Sequence, residues 1–378
     1  MGIIGIGLYW IFSFHYKEKI KILLSNSFAL SFIALYILHL LSMLYTSDVA
    51  EGLNDLRLKI TLFLFPLFMM TNQWIDKSKS LILIRVFSIL MIFMAGIDIG
   101  LSFFKFLDSG NIEVFYYDQL PHLLSLKVHY VSWYYSFALF VILYELLQSN
   151  KYKMFWGFGF ALLLISIFLL ASRIYLLALF VIFSIAIISL FKSKSFFLNS
   201  WKIIGILTFF LSFLYLLPKT QSRVIETVHE LESLLGFDTN KQTNARVYIW
   251  SYALSLVIES PLLGYGIGDA KTELNRSLKD CKAQFWDGHT LKPIFEKNYN
   301  FHNQFIQTWA EVGVFGFLLL IFIMFAPFFM QNMHPLFLVF LGLTMFGFMT
   351  ESMLERQAGI LFFAFMYPLL FKFKKDYE

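Results

Sequence analysis

Long apolar runs alternate with short polar connections along this 378-residue chain. A helix that crosses a bilayer needs about 20 mainly apolar residues, whereas a membrane β-barrel shows segments of about ten alternating residues. The runs therefore predict an all-α integral membrane protein with about eleven (10–12) transmembrane helices. The predicted spans lie near 2–14, 26–45, 59–73, 82–104, 129–147, 154–171, 174–191, 202–217, 304–330, 336–350 and 357–371.

The spans divide the chain into three parts. Residues 1–217 form a predicted N-terminal bundle of about eight spans, and residues 304–378 hold about three spans and a basic tail. The polar segment 218–303 lies between them and is the one long loop. Within it, residues 244–259 carry apolar and aromatic side chains at helical spacing up to Pro261, which predicts an amphipathic helix on the membrane surface. The short first span lacks a basic leader and a cleavage site, which favours a tilted or incomplete helix over a signal peptide.

Basic residues fix the orientation of the predicted spans. Alternate connections hold fourteen Lys and Arg residues, against six in the opposite short loops. Because cytoplasmic loops are enriched in Lys and Arg, the first set is assigned to the cytoplasm and residues 218–303 to the other side. The richer set is Lys17, Lys19, Lys21, Lys77, Lys79, Arg85, Lys151, Lys153, Lys192, Lys194, Lys202, Lys372, Lys374 and Lys375. The net charge of +5 reflects such loops, so no nucleic-acid partner is predicted.

Three residues on the outer side are the main candidates for chemistry. Arg173 follows Ser172 where two spans meet with almost no loop, and an arginine there either reaches lipid headgroups or binds a functional anion. Arg246 lies on the predicted surface helix, where a solvated side chain is the simpler interpretation. His302 stands where the loop re-enters the membrane; it is either a structural hydrogen-bonding group or a proton acceptor near neutral pH.

Other polar residues at the same boundary are possible supporting groups. Glu311 follows His302 by nine residues, on roughly the opposite helix face, so it is not expected to orient the histidine. The turn TESMLERQAG offers two carboxylates, which an internal Glu–Arg ion pair would explain equally well. Asp55, Arg57 and Lys59 are assigned to the first outer loop and, like the pair that opens span five, are alternatively interfacial anchors. The supporting set is Arg57, His129, Tyr130, Asn303, Glu311, Glu351, Glu355, Arg356 and Gln357.

Several familiar motifs are missing from the sequence. Gly264, Gly266 and Gly268 follow no predicted strand, so they indicate a tight turn after a helix and not a dinucleotide site. The chain has one cysteine, no HExxH and no dense aspartate cluster, so neither a metal nor another cofactor is predicted. Arginines converging from separate loops suit a pyrophosphate, since their planar forks bind phosphate oxygens in pairs.

The candidate residues lie in stretches that resemble the O-antigen ligase and polymerase family of polytopic glycosyltransferases. The resemblance rests on the Ser172-Arg173 pair, on ARVYIW through PLLGYGIGD, and on the stretch from Phe301 that begins FHNQFIQTWAEVG. The early DLRLKITLFLFPLF and the late ESMLERQAG resemble variants of the family. The likeness covers most of the chain.

The resemblance implies a membrane glycosyltransferase of the bacterial inner membrane, with a periplasmic active site and no metal. Arg173 and Arg246 would bind the pyrophosphate of a polyprenyl-linked glycan donor, and His302 would contact or deprotonate an acceptor hydroxyl. The acceptor would be lipid A core or a growing glycan. The alternative is a flippase or transporter of lipid-linked glycans, a class that tends to show inverted repeats and broken helices near the midplane. Neither is evident in the sequence, and the candidate polar groups lie at one boundary.

Overall fold

The computed structural model describes residues 2–72, 75–120, 123, 125–148, 151–190, 245–280, 284–286, 291–293 and 298–373. This part of the chain is almost entirely helical, with one short hairpin in which β1 (Gln284–Trp286) pairs antiparallel with β2 (Leu291–Pro293). The helices are α1 Gly2–Phe12, α2 Tyr16–Ser25, α3 Ser27–Ser42, α4 Val49–Phe65, α5 Lys77–Ser109, α6 Val128–Leu147, α7 Lys153–Leu170, α8 Arg173–Leu190, α9 Ala245–Glu259, α10 Ala270–Asp280, α11 Gln304–Phe325, α12 Pro335–Thr350 and α13 Gln357–Phe371.

Helices lie where the apolar runs predict them over most of the described chain. Four are long and apolar enough to cross a membrane, namely α5, α6, α7 and α11 with its extension to Phe329. A fifth candidate is formed if α2 and α3, bent by 89°, are taken as one span. Shorter apolar helices are Arg173–Ile185, Pro335–Thr350 and Gln357–Phe371. The predicted span 202–217 and residues 218–244 of the predicted loop lie outside the described residues.

The chain divides into two compact units. The first comprises residues 1–80, 230–338 and 348–378, and the second comprises residues 81–229 and 339–347. In the first unit, aromatic side chains of α3 pack on α13: Phe32 lies 4.8 Å from Tyr367 and 5.7 Å from Phe363 between ring centroids. All three rings are fully buried. Helix packing here rests on interdigitated aromatic rings, which add favourable edge contacts to their buried area.

Helix α4 begins ten residues earlier than the apolar run indicates. Asp48 caps it by accepting a hydrogen bond from the N–H of Glu51 at 3.0 Å. A side-chain cap of this kind satisfies one of the free N–H groups at a helix start. The assignment of Asp55, Arg57 and Lys59 to a loop is therefore wrong, since all three lie inside α4.

Helix α11 is broken inside its third turn. Val312 and Gly313 leave the helical conformation, and Gly313 has a positive φ of 72°. The glycine-rich segment after α9 replaces the lost helical hydrogen bonds: Tyr265 N–H donates to the Ala310 carbonyl at 2.7 Å and Gly266 N–H donates to the Glu311 carbonyl at 3.1 Å. A broken membrane helix is tolerated where such partners satisfy its backbone. The structure thus shows in α11 a broken helix that was not evident in the sequence.

Glycine is required where these two segments touch. A Cβ on Gly313 would lie 1.9 Å from the Leu262 carbonyl oxygen, and one on Gly264 would lie 2.5 Å from the Ala310 carbonyl oxygen. Both residues have positive φ, a conformation that glycine adopts without steric cost. The segment predicted as a tight turn is therefore a turn that also braces the broken helix.

Helix α9, the predicted surface helix, has two apolar faces. Ile249, Ala253 and Val257 are buried against α10 and against Phe301. Leu254 and Ile258 are exposed on another face, with 49% and 76% of their surfaces accessible. Part of the helix thus packs on protein, while an apolar face is left accessible to the surroundings.

The second unit contains most of α5 together with α6–α8, and it buries two acidic side chains. Asp98 of α5 accepts hydrogen bonds from the Tyr135 hydroxyl at 3.1 Å and from the N–H of Leu123 at 3.0 Å. Glu145 of α6 is fully buried and accepts a bond from Arg85 at 2.8 Å. Arg85 therefore lies within a helix and pairs with an acid, and is not a loop residue.

Candidate functional site

His302, Glu351 and Arg246 form one cluster in the first unit. The Nδ1 atom of His302 lies 3.0 Å from Oε2 of Glu351, and Nη2 of Arg246 lies 3.0 Å from Oε1 of the same carboxylate. The exposed fraction is 23% for the His302 side chain, 14% for Glu351 and 35% for Arg246. One partly buried carboxylate thus joins the two residues that the sequence singled out, at a place still open to a ligand.

The contact with Glu351 determines which nitrogen of His302 is left for chemistry. An ionised carboxylate only accepts hydrogen bonds, so Nδ1 carries the proton in this pair. The neutral imidazole then presents Nε2 as an acceptor. A carboxylate behind a histidine fixes the orientation of the ring and stabilises the imidazolium that forms when Nε2 takes a proton.

The backbone around His302 holds the ring in place. His302 has a positive φ of 46°, and its N–H donates to Asn300 Oδ1 at 3.2 Å. Asn303 caps α11 by accepting from the N–H groups of Phe305 and Ile306, and its amide donates to the Met349 carbonyl at 3.2 Å. A left-handed histidine that is fixed from both sides indicates a backbone shaped for the position of one side chain.

Arg246 reaches the cluster from the first turn of α9. Its helix is anchored by the buried face that contacts α10, so the guanidinium extends from a fixed backbone. Glu351 comes from the turn between α12 and α13. The cluster therefore draws on three separate elements: α9, the segment before α11, and this turn.

A second and largely buried network lies around Glu311. Its carboxylate binds His39 Nε2 at 3.1 Å and Lys59 Nζ at 3.3 Å, and it accepts a hydrogen bond from Gln307 Nε2 at 2.5 Å. Lys59 also binds Glu355 Oε1 at 2.5 Å. As predicted, Glu311 does not orient His302. It connects α3, α4 and the turn after α12.

The buried network carries more acids than bases. Carboxylate oxygens of Asp55, Glu311 and Glu355 lie within 4.8 Å of one another, and Lys59 is the ammonium that binds the latter two. Burial, together with the neighbouring Glu311 carboxylate, raises the pKa of Glu355 above its usual range, although Lys59 opposes the shift. Burial also raises the pKa of Asp55. The raised pKa values reflect an excess of negative charge, which the Lys59 ammonium offsets at Glu311 and Glu355.

The remaining predicted site residues lie elsewhere. Arg57 is exposed on α4, and Arg356 and Gln357 are exposed at the start of α13. The internal Glu–Arg pair considered for the turn does not account for its two acids, since Glu351 binds Arg246 and Glu355 binds Lys59. In the second unit, Arg173 begins α8 directly after Ala171 and the buried Ser172, and the rings of His129 and Tyr130 lie 4.3 Å apart at the start of α6.

Sequence reasoning missed His39, Lys59 and Gln307 as members of a buried network. A usable signal for His39 is its place inside the apolar run 26–45, since an ionisable group within a membrane segment is rare without a function. Lys59 gave no such signal, because a lysine at the end of an apolar run normally extends to water.

Two comparisons with known proteins bear on this site. Residues 158–321 match the family model described as O-antigen ligase, which supports the resemblance to the O-antigen ligase and polymerase family. The matched range is less than half of the chain; it includes Arg173, Arg246 and His302 and ends before Glu351. An uncharacterized protein of Haemophilus influenzae is 27% identical over 179 residues, which is 43% of this chain. The chain covers 42% of the length of that relative.

Proposed function

We propose that this protein is a membrane glycosyltransferase of the O-antigen ligase or polymerase type. It moves a glycan from polyprenyl pyrophosphate to a sugar hydroxyl of lipid A core or of a growing glycan. The observation that carries the proposal is the Glu351 carboxylate, which binds both His302 and Arg246. The carboxylate of Glu351 thus holds together a base for the acceptor hydroxyl, His302, and a cation for the leaving pyrophosphate, Arg246.

In the proposed reaction the acceptor oxygen attacks the anomeric carbon of the donor glycan. The bond between that carbon and the pyrophosphate oxygen breaks, and polyprenyl pyrophosphate leaves with the bonding electrons. His302 Nε2 takes the hydroxyl proton, while Glu351 stabilises the resulting imidazolium. Arg246 binds the pyrophosphate oxygens, on which negative charge develops as the bond breaks, and the family resemblance implies the same role for Arg173. Direct attack of this kind inverts the anomeric centre.

No metal is included in the proposal, because the charge that forms on pyrophosphate is met by fixed arginines. The carboxylates of Glu311 and Glu355 bind a cation of the chain itself, the Lys59 ammonium, and Asp55 lies beside them. They are proposed to support the site and not to hold a divalent ion.

The proposed setting is the bacterial inner membrane, with about eleven spans and the reaction at the periplasmic face. The Lys and Arg distribution supports this orientation, since it assigns the segment that holds Arg246 and His302 to the non-cytoplasmic side. The exposed Leu254 and Ile258 of α9 support a helix at the membrane surface, close to a lipid-linked donor.

The second candidate function is transport of a lipid-linked glycan across the membrane. The break in α11 at Val312–Gly313, beside the buried Glu311, favours it, because broken helices with buried charges are typical of transporters. A transporter would leave the bond between glycan and pyrophosphate intact, whereas the proposed enzyme breaks it.

Alanine variants of His302, Arg246 and Arg173 test the proposal. Each is expected to lower glycan transfer by purified protein in vesicles by about 100-fold or more, since each removes a group that acts on charge in the transition state. Arg276→Ala is the matched control: Arg276 is exposed on α10 and pairs with Glu273, so transfer is expected to stay near the wild-type rate. Full transfer in all three site variants would refute the assignment.

A further inference from the structure

The turn that carries Glu351 is held in place by side chains of α11. The N–H of Leu354 donates to Gln304 Oε1 at 2.7 Å, and the hydroxyl of Ser352 donates to Gln307 Oε1 at 3.2 Å. Gln304 and Gln307 are 0% and 2% exposed. A buried amide that satisfies turn backbone and turn hydroxyl fixes the position of both.

The far end of the same turn is held by a charge. Glu355 binds Lys59 Nζ at 2.5 Å, and Lys59 binds Glu311 at 3.3 Å. The side chains of Lys59 and Glu311 are 2% and 1% exposed, so neither charge is screened by water. Lys59 is the cation between two acids that come from different elements, α11 and the turn.

These contacts close into a ring. Lys59 binds Glu311, and Glu311 accepts a hydrogen bond from Gln307. Gln307 in turn accepts from Ser352 of the turn. Glu355, three residues after Ser352 in the same turn, binds Lys59 and completes the ring. Gln307 Oε1 also accepts from the N–H of Phe301, the residue before His302, at 3.4 Å. The ring therefore touches both segments that meet in the contact between His302 and Glu351.

We propose that Lys59 is a positioning residue: by binding Glu311 and Glu355 it fixes the 351–355 turn so that the Glu351 carboxylate stays on His302. This inference rests on the proposed function. Lys59 touches neither substrate nor His302 in this scheme. Its effect on the reaction comes only from fixing the position of the 351–355 turn.

The charge balance explains why a lysine is needed here. Without the ammonium, the carboxylates of Glu355, Glu311 and Asp55 would lie within 4.8 Å of one another, with Glu311 buried and the other two partly buried. Buried like charges at that distance repel and must either take up protons or separate. Because Glu355 belongs to the turn, separation moves the turn, and Glu351 moves with it.

The inference is tested with Lys59→Met, the double variant Lys59→Met with Glu355→Gln, and the control Lys271→Met. Lys271 makes an exposed pair with Glu51 at 3.6 Å. Full-length proteins in vesicles are supplied with extracted polyprenyl-pyrophosphate glycan and acceptor, and kcat, donor KM and hydrogen exchange of residues 349–356 are measured. Thermal unfolding of each variant in detergent reports how much protein is folded.

Lys59→Met is expected to lower kcat by about 100-fold, the typical result of a displacement of about 1 Å at a reacting group, with donor KM changed by less than about threefold. Hydrogen exchange should rise in residues 349–356 and not elsewhere in the folded fraction. The double variant should regain about tenfold in kcat, since it removes one of the repelling carboxylates. Lys271→Met should match the wild type.

Three results would overturn the inference. One is an unchanged exchange rate in residues 349–356 of Lys59→Met, which counts against it whether or not the wild type transfers glycan. The second is a fall in kcat of Lys59→Met that is proportional to the loss of folded protein and is not recovered in the double variant. The third is wild-type kcat in Lys59→Met. Failure of the proposed function has a different signature, in which the wild type itself transfers no glycan while exchange still responds to Lys59→Met.

Discussion

Replacing Glu351 by Gln is expected to reduce glycan transfer by about 100-fold or more, with no rise in donor KM. Glutamine keeps the size of the side chain but lacks the charge that stabilises an imidazolium at His302, 3.0 Å away. It also offers an amide that donates, so the ring is no longer held with Nδ1–H toward an acceptor. Arg246 loses its anionic partner and is left to bind pyrophosphate without that competition.

Initial rates at varied donor concentration, measured with purified protein in vesicles, check this result. Glu259→Gln is the control, because Glu259 lies on the same helix as Arg246 but is exposed and bonds Tyr265 at 3.1 Å. Wild-type kcat in Glu351→Gln would show that the carboxylate has no part in the chemistry. A large rise in donor KM with unchanged kcat would instead make Glu351 a donor-binding group.

Replacing Glu311 by Ala is expected to lower the free energy of unfolding by about 3 kcal/mol or more. The change leaves the Lys59 ammonium with one partner fewer and removes the acceptor of His39 and Gln307, all in a site closed to water. A buried charge that loses its partner costs far more than an exposed one. The same change also loosens the link between α3 and α11.

Unfolding in mixed micelles, followed by tryptophan fluorescence, measures the effect. Glu51→Ala is the matched control, since Glu51 pairs with Lys271 at 3.6 Å with both side chains about two-fifths exposed. An exposed pair of this kind contributes less than about 1 kcal/mol. Equal losses in the two variants would contradict the view that the network around Glu311 is a buried one.

The sequence is sufficient to predict most helix positions. Apolar runs locate α3, α5, α6, α7, α8, α11, α12 and α13 to within a few residues at most ends, because burial in lipid or protein demands an unbroken apolar stretch. The start of α4 was missed, although Asp48 and Glu51 have the spacing of a helix cap with an acidic third residue. The break in α11 was missed as well, since Gly313 is one of many glycines in apolar runs.

The sequence predicts some residues of the site but not the contacts between them. His302 and Arg246 are identified by residue type and location, but nothing local says that Glu351, rather than Glu355, turns towards them. The two acids are four residues apart in one turn, and their partners come from distant elements: Lys59 is 296 residues away from Glu355. Such pairings depend on helix packing, which a single sequence does not record.

Arg173 illustrates the same limit. Its position at the start of α8, immediately after a two-residue connection, agrees with the prediction that two spans meet there almost without a loop. Its proposed role on pyrophosphate stays a prediction that the Arg173→Ala variant tests. The role of Arg173 depends on contacts with a bound donor, and such contacts cannot be read from a single sequence.

Glycan transfer is measured directly by following a labelled glycan on extracted polyprenyl pyrophosphate in vesicles that contain purified protein and lipid A core. The wild type is expected to move the label to lipid A core or to a longer chain and to release polyprenyl pyrophosphate, also in the presence of a chelator, while His302→Ala is not. Label that crosses the bilayer still attached to polyprenyl pyrophosphate, at the same rate in both proteins, would contradict the account and establish transport.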